Sequence, residues 1–195
     1  MEQIRHALSD LKTIPIAQVN WEQFSYKPAV GFKIAYTDDG ILLNYLVKEE
    51  HIKACYTAIN SPVYKDSCVE FFISFNGEDY YNFEFNCIGT AFAAFGTSNK
   101  ATRKPLPIDI IESIRIDSHI HTTRGENSWN LLMHIPLTAL IHHPLTSLQG
   151  VRCMGNFYKC GDDLPIPHFL SWNAIDAVHP NFHLPKFFGE LIFVK

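Results

Sequence analysis

The sequence is short of charge. Aspartate, glutamate, lysine and arginine make up 18 % of its 195 residues, against roughly 25 % in an average globular chain, and no block of one sign occurs. The formal charge of -4 comes from 16 basic and 20 acidic residues. A protein that neutralises a phosphate backbone carries a basic stripe, so nucleic acid is not an expected partner. Long apolar runs are lacking as well. Nothing approaches the roughly 18 consecutive apolar residues of a membrane-crossing helix, and no membrane partner is expected. The N-terminal stretch MEQIRHALSDLKTIPI begins acidic and develops no apolar core of the secretory kind.

Catalytic and metal signatures are equally scarce. The five cysteines, Cys55, Cys68, Cys87, Cys153 and Cys160, form no Cys-x-x-Cys pair. Their odd number and wide spacing argue against a zinc ribbon or a full disulfide framework. Free thiols in a reducing, cytoplasmic compartment are the expectation. There is no Gly-x-Ser-x-Gly elbow and no glycine-rich phosphate loop. Among ten histidines, His179 and His183 are four apart, but Pro180 interrupts any shared helical face. His119 with His121, and the pair His142-His143, are read as structural.

Aromatic residues are what the sequence has in excess: 15 Phe, 8 Tyr and 3 Trp, or 13 %, a composition that favours pleated, half-buried surfaces. Val30, Phe32, Ile34 and Tyr36 alternate with smaller or polar residues, Thr-Asp-Asp-Gly turns the chain, and Ile41–Lys48 returns as a hairpin. Val69, Phe71, Ile73 and Phe75 alternate in the same way. After Asn-Gly-Glu-Asp, so do Tyr81, Phe83, Phe85 and Cys87. Further strands are predicted at 90–95, 113–120, 128–135, 151–158, 168–172 and 188–194. Pro136–Ile141 predicts one or two helical turns, and Ile4–Leu11 is a short helical candidate. About ten short strands with turn signals define an all-β class, an antiparallel sandwich or barrel. No repeat or linker divides the chain, so residues 1–195 are read as one domain, with 1–20 as an extension packing on it. The segment 96–111 reads as a long irregular loop of the kind that often carries function.

Strands 69–75 and 81–87 must both turn their apolar faces to the core, so opposed residues have an even number sum. A sum of 154 sets Glu70 against Glu84, and like charges directly opposed are destabilising. The register expected is therefore 156, with Glu70 opposite Asn86. Either register gathers Glu70, Glu84, Asn82 and Asn86 on the face away from the apolar stripe, beside Phe72. Carboxylates and amides at short reach, with an aromatic face, match the chemistry of sugar hydroxyls and sugar rings.

The residues around that face carry a resemblance. Val63-Tyr-Lys-Asp-Ser-Cys-Val-Glu-Phe-Phe-Ile-Ser-Phe, then Tyr81-Asn-Phe-Glu-Phe-Asn-Cys-Ile-Gly-Thr, then Trp129-Asn-Leu-Leu-Met-His-Ile-Pro-Leu-Thr-Ala-Leu, follow one another in sequence. Gly155-Asn-Phe-Tyr-Lys, Ser171-Trp-Asn and His183-Leu-Pro-Lys-Phe-Phe-Gly-Glu-Leu-Ile-Phe complete the series. The order resembles the family 9 carbohydrate-binding modules from about residue 20 to the C-terminus.

The resemblance implies a β-sandwich of jelly-roll type with one or two short helices. It implies non-catalytic binding of an oligosaccharide or polysaccharide chain end, one or two sugar units being held between two aromatic rings. Those rings fall on Tyr64 and Trp172, with Tyr64 standing where well-known sugar-binding members carry Trp. Glu70 matches the family's sugar-binding carboxylate, and Arg103, Asn156 and Lys159 are further matches. Glu84 and Asn86 join the candidates from the polar face itself. Some members hold structural calcium, for which Asp38 and Asp39 are the candidates; no other cofactor is expected. Family members are found attached to bacterial xylanases in polysaccharide catabolism, an origin that implies a secreted or periplasmic setting. Two alternatives stay open: a glycoside hydrolase using Glu70 and Glu84, whose separation would fit such chemistry, and a protein-interaction module on the same scaffold.

Overall fold

The computed structural model describes residues 1–123 and 125–194. Helix α1 (Glu2–Ser9) leads into the short strands β1 (Ile14–Pro15) and β2 (Gln18–Val19) and the long hairpin β3 (Ala29–Thr37) and β4 (Gly40–Glu49). A second hairpin follows, β5 (Cys68–Ser74) and β6 (Tyr80–Asn86), then β7 (Ala91–Gly96), β8 (Lys104–Pro105) and helix α2 (Ile108–Glu112). Strands β9 (Arg115–Thr123), β10 (Glu126–Pro136), β11 (Arg152–Cys160), β12 (Phe169–Ser171) and β13 (Gly189–Ile192) complete the chain.

These strands form two antiparallel sheets. One runs β1-β3-β4-β10-β9; the other runs β2-β12-β11-β5-β6-β7-β8, with β13 pairing β11. Period-two alternation drives them together. Phe71 and Ile73 of β5, and Phe83 and Phe85 of β6, meet Leu43 and Tyr45 of β4 and Leu131 and Met133 of β10 in one buried core. Phe157 of β11 stacks between Phe32 and Phe71, with ring centroids 3.7 Å and 4.8 Å away. Each such ring contributes about 1.5–3 kcal/mol by leaving water. Helix α1 covers the outer face of the first sheet, burying Ile4 and Leu8 against Leu42 and Leu132. The Lys33 ammonium closes its C-terminus by donating to the carbonyls of Leu8 and Ser9.

The predicted hairpins and later strands are all present. The helical turn expected after Pro136 is a single 3-10 turn, Leu137–Ala139. Asp38 and Asp39 lie at the β3–β4 turn, where Asp39 Oδ1 accepts from the Thr37 hydroxyl at 2.6 Å and faces His134 Nε2 at 3.2 Å.

Two expectations are corrected. Segment 96–111 is not an irregular loop. It contains a 3-10 turn at Lys100–Thr102, then β8 and α2, and it sends Leu106 and Ile111 into the core. Gly96 permits the return, because its φ of 148° suits glycine and a Cβ there would meet Arg103 Cα at 3.2 Å.

The β5–β6 register is 154, not 156: Glu70 lies directly opposite Glu84, and Phe72 opposite Asn82. Hydrogen bonds in the connecting loop fit this register. Asn76 Oδ1 accepts from the amides of Glu78 and Asp79, while Ser74 Oγ accepts from Gly77 N and donates to Asp79 O. Repulsion between like charges would oppose this register only if both acids were ionised. Both carboxyls are buried, and burial favours the neutral form.

Candidate functional site

Every residue of β5 and β6 is buried, on both faces. The outer face of the second sheet is therefore covered rather than solvated. Loops before β5 and after β11 fold across it, with Phe72, Tyr80 and Tyr158 packing under Phe182 and Phe188. Between these loops the cover opens into a cavity of about 470 Å³, within the size range of small-ligand sites.

Glu70 of β5, Asn82 and Glu84 of β6 and Cys160 of β11 form its floor, and Phe92 and Ala94 of β7 extend it. Adjacent strands place the two acids side by side, each 4 % exposed. Asn82 Nδ2 donates to Glu84 Oε1 at 2.8 Å, and Cys160 Sγ lies 3.2 Å from Glu70 Oε1. Burial pushes the Glu84 carboxyl up to about 7. Burial, followed by the neighbouring Glu84 charge, pushes Glu70 well above the ordinary carboxylate range. Asp162, at the rim, is raised by burial to about 6.

Arg103 stands at one side of the floor and is held from five directions. Nη1 donates to the carbonyls of Gly96 and Thr97; Nη2 donates to Tyr80 O, Asn82 Oδ1 and Ala94 O. Its guanidinium carbon lies 3.9 Å from the centroid of the Tyr80 ring, a cation–π contact. Arg103 Nε is buried without a partner.

The walls are aromatic. Tyr64, 38 % exposed, stands on the 3-10 turn Val63–Lys65, whose carbonyls at Tyr64 and Lys65 accept from Asp162 N and Asp163 N. Phe169, Phe182 and His183 line the cavity as well. Phe182 is braced by Tyr158, stacked at 4.2 Å. His183 Nδ1 lies 2.8 Å from the Tyr80 hydroxyl, and burial pushes this imidazole down to about 3. His183 is thus neutral at neutral pH.

Of the residues singled out from the sequence, Tyr64, Glu70, Glu84 and Arg103 come together here. Four others do not line the cavity. Trp172 faces the opposite way. In β12 and just beyond it, Phe169 points to the cleft, while Leu170 and Trp172 share the side that packs on the core. Its indole meets Phe157 and Phe32 edge-on at 5.7 Å and 6.3 Å and leans on Gly189. The clamp of Tyr64 against Trp172 is therefore not formed.

Lys159 is also on the inner face. It is wholly buried, with Nζ 2.8 Å from Glu49 Oε2 and 2.8 Å from His168 Nε2. Asn156 is spent on the backbone, donating to Asn173 O and accepting from Asn173 N. Asn86 likewise donates to Tyr56 O and Asp66 Oδ2 and accepts from Thr90 N. The residues missed were Lys100, Asp162, Phe169, Phe182 and His183. Alternation against the apolar Leu170 could have singled out Phe169. The others sit on irregular segments, where no period applies.

A two-sheet antiparallel sandwich, with paired carboxyls, an amide and a guanidinium beneath an aromatic rim on one outer face, has the architecture of a carbohydrate-binding module. The family model of carbohydrate-binding family 9 matches residues 3–193, and the chain belongs to that family.

Solved structures agree in fold. A provisionally assigned carbohydrate-binding protein from Bacteroides uniformis is 41 % identical, with a TM-score of 0.92, over 98 % of this chain and 91 % of that one. A family 9 module from Caldicellulosiruptor kristjanssonii in complex with glucose matches with a TM-score of 0.62 at 11 % identity, over 94 % of this chain and 84 % of that chain. A family 9 module from the same organism in complex with cellotriose gives 0.63 at 12 %, over 96 % and 85 %. No curated protein matches.

Proposed function

We propose that the protein binds a carbohydrate non-covalently in the cleft floored by Glu70, Asn82 and Glu84, stacking one or two sugar units against Tyr64, Phe169 and Phe182. The observation that carries this reading is the composition of the floor. Acceptors (two carboxyls) and donors (the Asn82 amide and Arg103) lie within one aromatic-rimmed cavity. Sugar hydroxyls both donate and accept, and the apolar face of a pyranose covers an aromatic ring. The glucose and cellotriose held in the two Caldicellulosiruptor structures support the same ligand class.

The arrangement favours binding over hydrolysis. Glycosidases place two carboxyls so that they flank the scissile bond. Glu70 and Glu84 instead rise side by side from neighbouring strands of one floor. A ligand above them meets both acids from the same side.

Isothermal calorimetry with glucose, cellotriose and xylotriose tests the proposal. A shallow site for a small polar ligand is expected to bind in the millimolar to micromolar range, about -4 to -8 kcal/mol. Tyr64→Ala should weaken binding roughly tenfold, about 1.4 kcal/mol, through the lost stacking surface. Heats that match the buffer blank across all three sugars, or equal affinity for parent and Tyr64→Ala, would overturn it.

A further inference from the structure

The floor of the cleft holds a second cluster, which shares Glu70 with the proposed sugar site. Cys68 of β5 and Cys160 of β11 are directly paired across the two strands, and both side chains lie on the cleft side of the sheet. The Sγ atoms of Cys68 and Cys160 and a carboxylate oxygen of Glu70 all lie within 4.8 Å of one another. Cys160 Sγ is 3.2 Å from Glu70 Oε1. Cys160 and Glu70 line the open cavity, whereas Cys68 is fully buried beneath them.

We propose that Cys68, Cys160 and Glu70 form a three-ligand site for a thiophilic divalent cation of the zinc type, entered from the cleft. The donor set is the first argument. Two sulfurs and one oxygen suit a borderline-soft, tetrahedral ion, and three protein ligands leave one position open. The second argument is size. Tetrahedral zinc with bonds of about 2.3 Å to sulfur and 2.0–2.2 Å to oxygen spaces its ligands about 3.6–3.8 Å apart. The observed donors reach this spacing through adjustments on the order of 1 Å or less, within the range of side-chain rotation. The third argument is charge. Glu84 and Asp162 stand on the cleft side of the cluster, and the cations nearby are Lys100, Arg103 and the buried Lys159, the last paired with Glu49. Once the ligands are ionised the local balance is negative.

Binding is an exchange of protons for the ion. Each S–H bond breaks as its S–metal bond forms, and the proton leaves to solvent; Glu70 adds a third proton wherever it starts neutral. An ordinary cysteine thiol, with a pKa of about 8.5, still carries its proton at neutral pH. Two or three protons should therefore be released per ion. No oxidant or reductant takes part.

The test uses cobalt(II) and zinc(II) on the whole reduced protein, without sugar, so its outcome is independent of the carbohydrate reading. Cobalt should produce a thiolate-to-metal charge-transfer band that saturates at one ion per chain and disappears when zinc is added. Calorimetry in two buffers of different ionisation enthalpy should return two to three protons released. Cys160→Ser should abolish the band, and Glu70→Gln should weaken cobalt binding at least tenfold. Cys55→Ser, at the exposed cysteine, should leave it unchanged. Absence of the band in the folded parent overturns the proposal whatever the variants do. So does a band that persists in a folded Cys160→Ser protein.

Discussion

Replacing Glu84 by glutamine should stabilise the protein at alkaline pH and leave it nearly unchanged at acid pH. Glu84 is buried and its carboxyl is pushed up from an ordinary 4.5 to about 7. The folded state therefore holds a proton that the unfolded chain gives up between about pH 4.5 and 7. Stability from this group is present in full below the unfolded pKa and is lost as pH rises through the window. A displacement of about 2.5 units corresponds to about 3 kcal/mol at 1.36 kcal/mol per unit. Glutamine carries no charge to desolvate, and its amide oxygen can still accept from Asn82 Nδ2.

Expressed as a melting temperature, about 3 kcal/mol in a chain of this size is roughly 6–12 °C. Thermal unfolding of the parent and Glu84→Gln from pH 4.5 to 8.5 measures the difference directly. Taking the difference cancels other titrating groups, among them His183 and Asp162, which are common to both proteins. The variant's advantage should be near zero at pH 4.5 and approach its full value above pH 7. Glu70, relieved of a like-charged neighbour, adds in the same direction. Curves that stay parallel across the whole range, or an advantage that shrinks as pH rises, would refute the reasoning.

Other residues separate binding from architecture. Trp172→Ala should lower stability by about 3–5 kcal/mol in denaturant unfolding, because it empties a site packed against Phe32, Phe157 and Gly189. Its sugar affinity, measured calorimetrically on the folded fraction, should match the parent; a tenfold loss would return Trp172 to the site. Glu49→Gln should cost about 3–5 kcal/mol, since it leaves the wholly buried Lys159 ammonium without its counter-charge. Lys159→Met combined with Glu49→Gln should recover much of that loss in urea titrations, and a double variant as unstable as the single one would contradict the pairing argument.

Much of the fold was legible along the chain. The alternation of Val69, Phe71 and Ile73 with Glu70, Phe72 and Ser74 declares a strand and divides its two faces, because a side-chain period of two is a local property of extended backbone. The turn residues at 37–40 and 76–79 mark the hairpins for the same reason. From these the two-faced sheet, and the placement of Glu70, Asn82 and Glu84 on one side of it, follow directly. Tyr64 and Arg103 were reached only through resemblance to the family; nothing in their own surroundings assigned them.

Three things lay beyond the sequence. The first was the ionisation of Glu70 and Glu84, which depends on burial by loops from elsewhere in the chain and which decided the register argument. The second was the direction of Trp172, which follows from the phase of β12 against the core and not from its flanking residues. The third was the company of Phe182, His183 and Asp162 in the cleft. Local backbone periodicity is written in the order of residues; the dielectric around a carboxyl, and the meeting of segments a hundred residues apart, exist only once the chain has packed on itself.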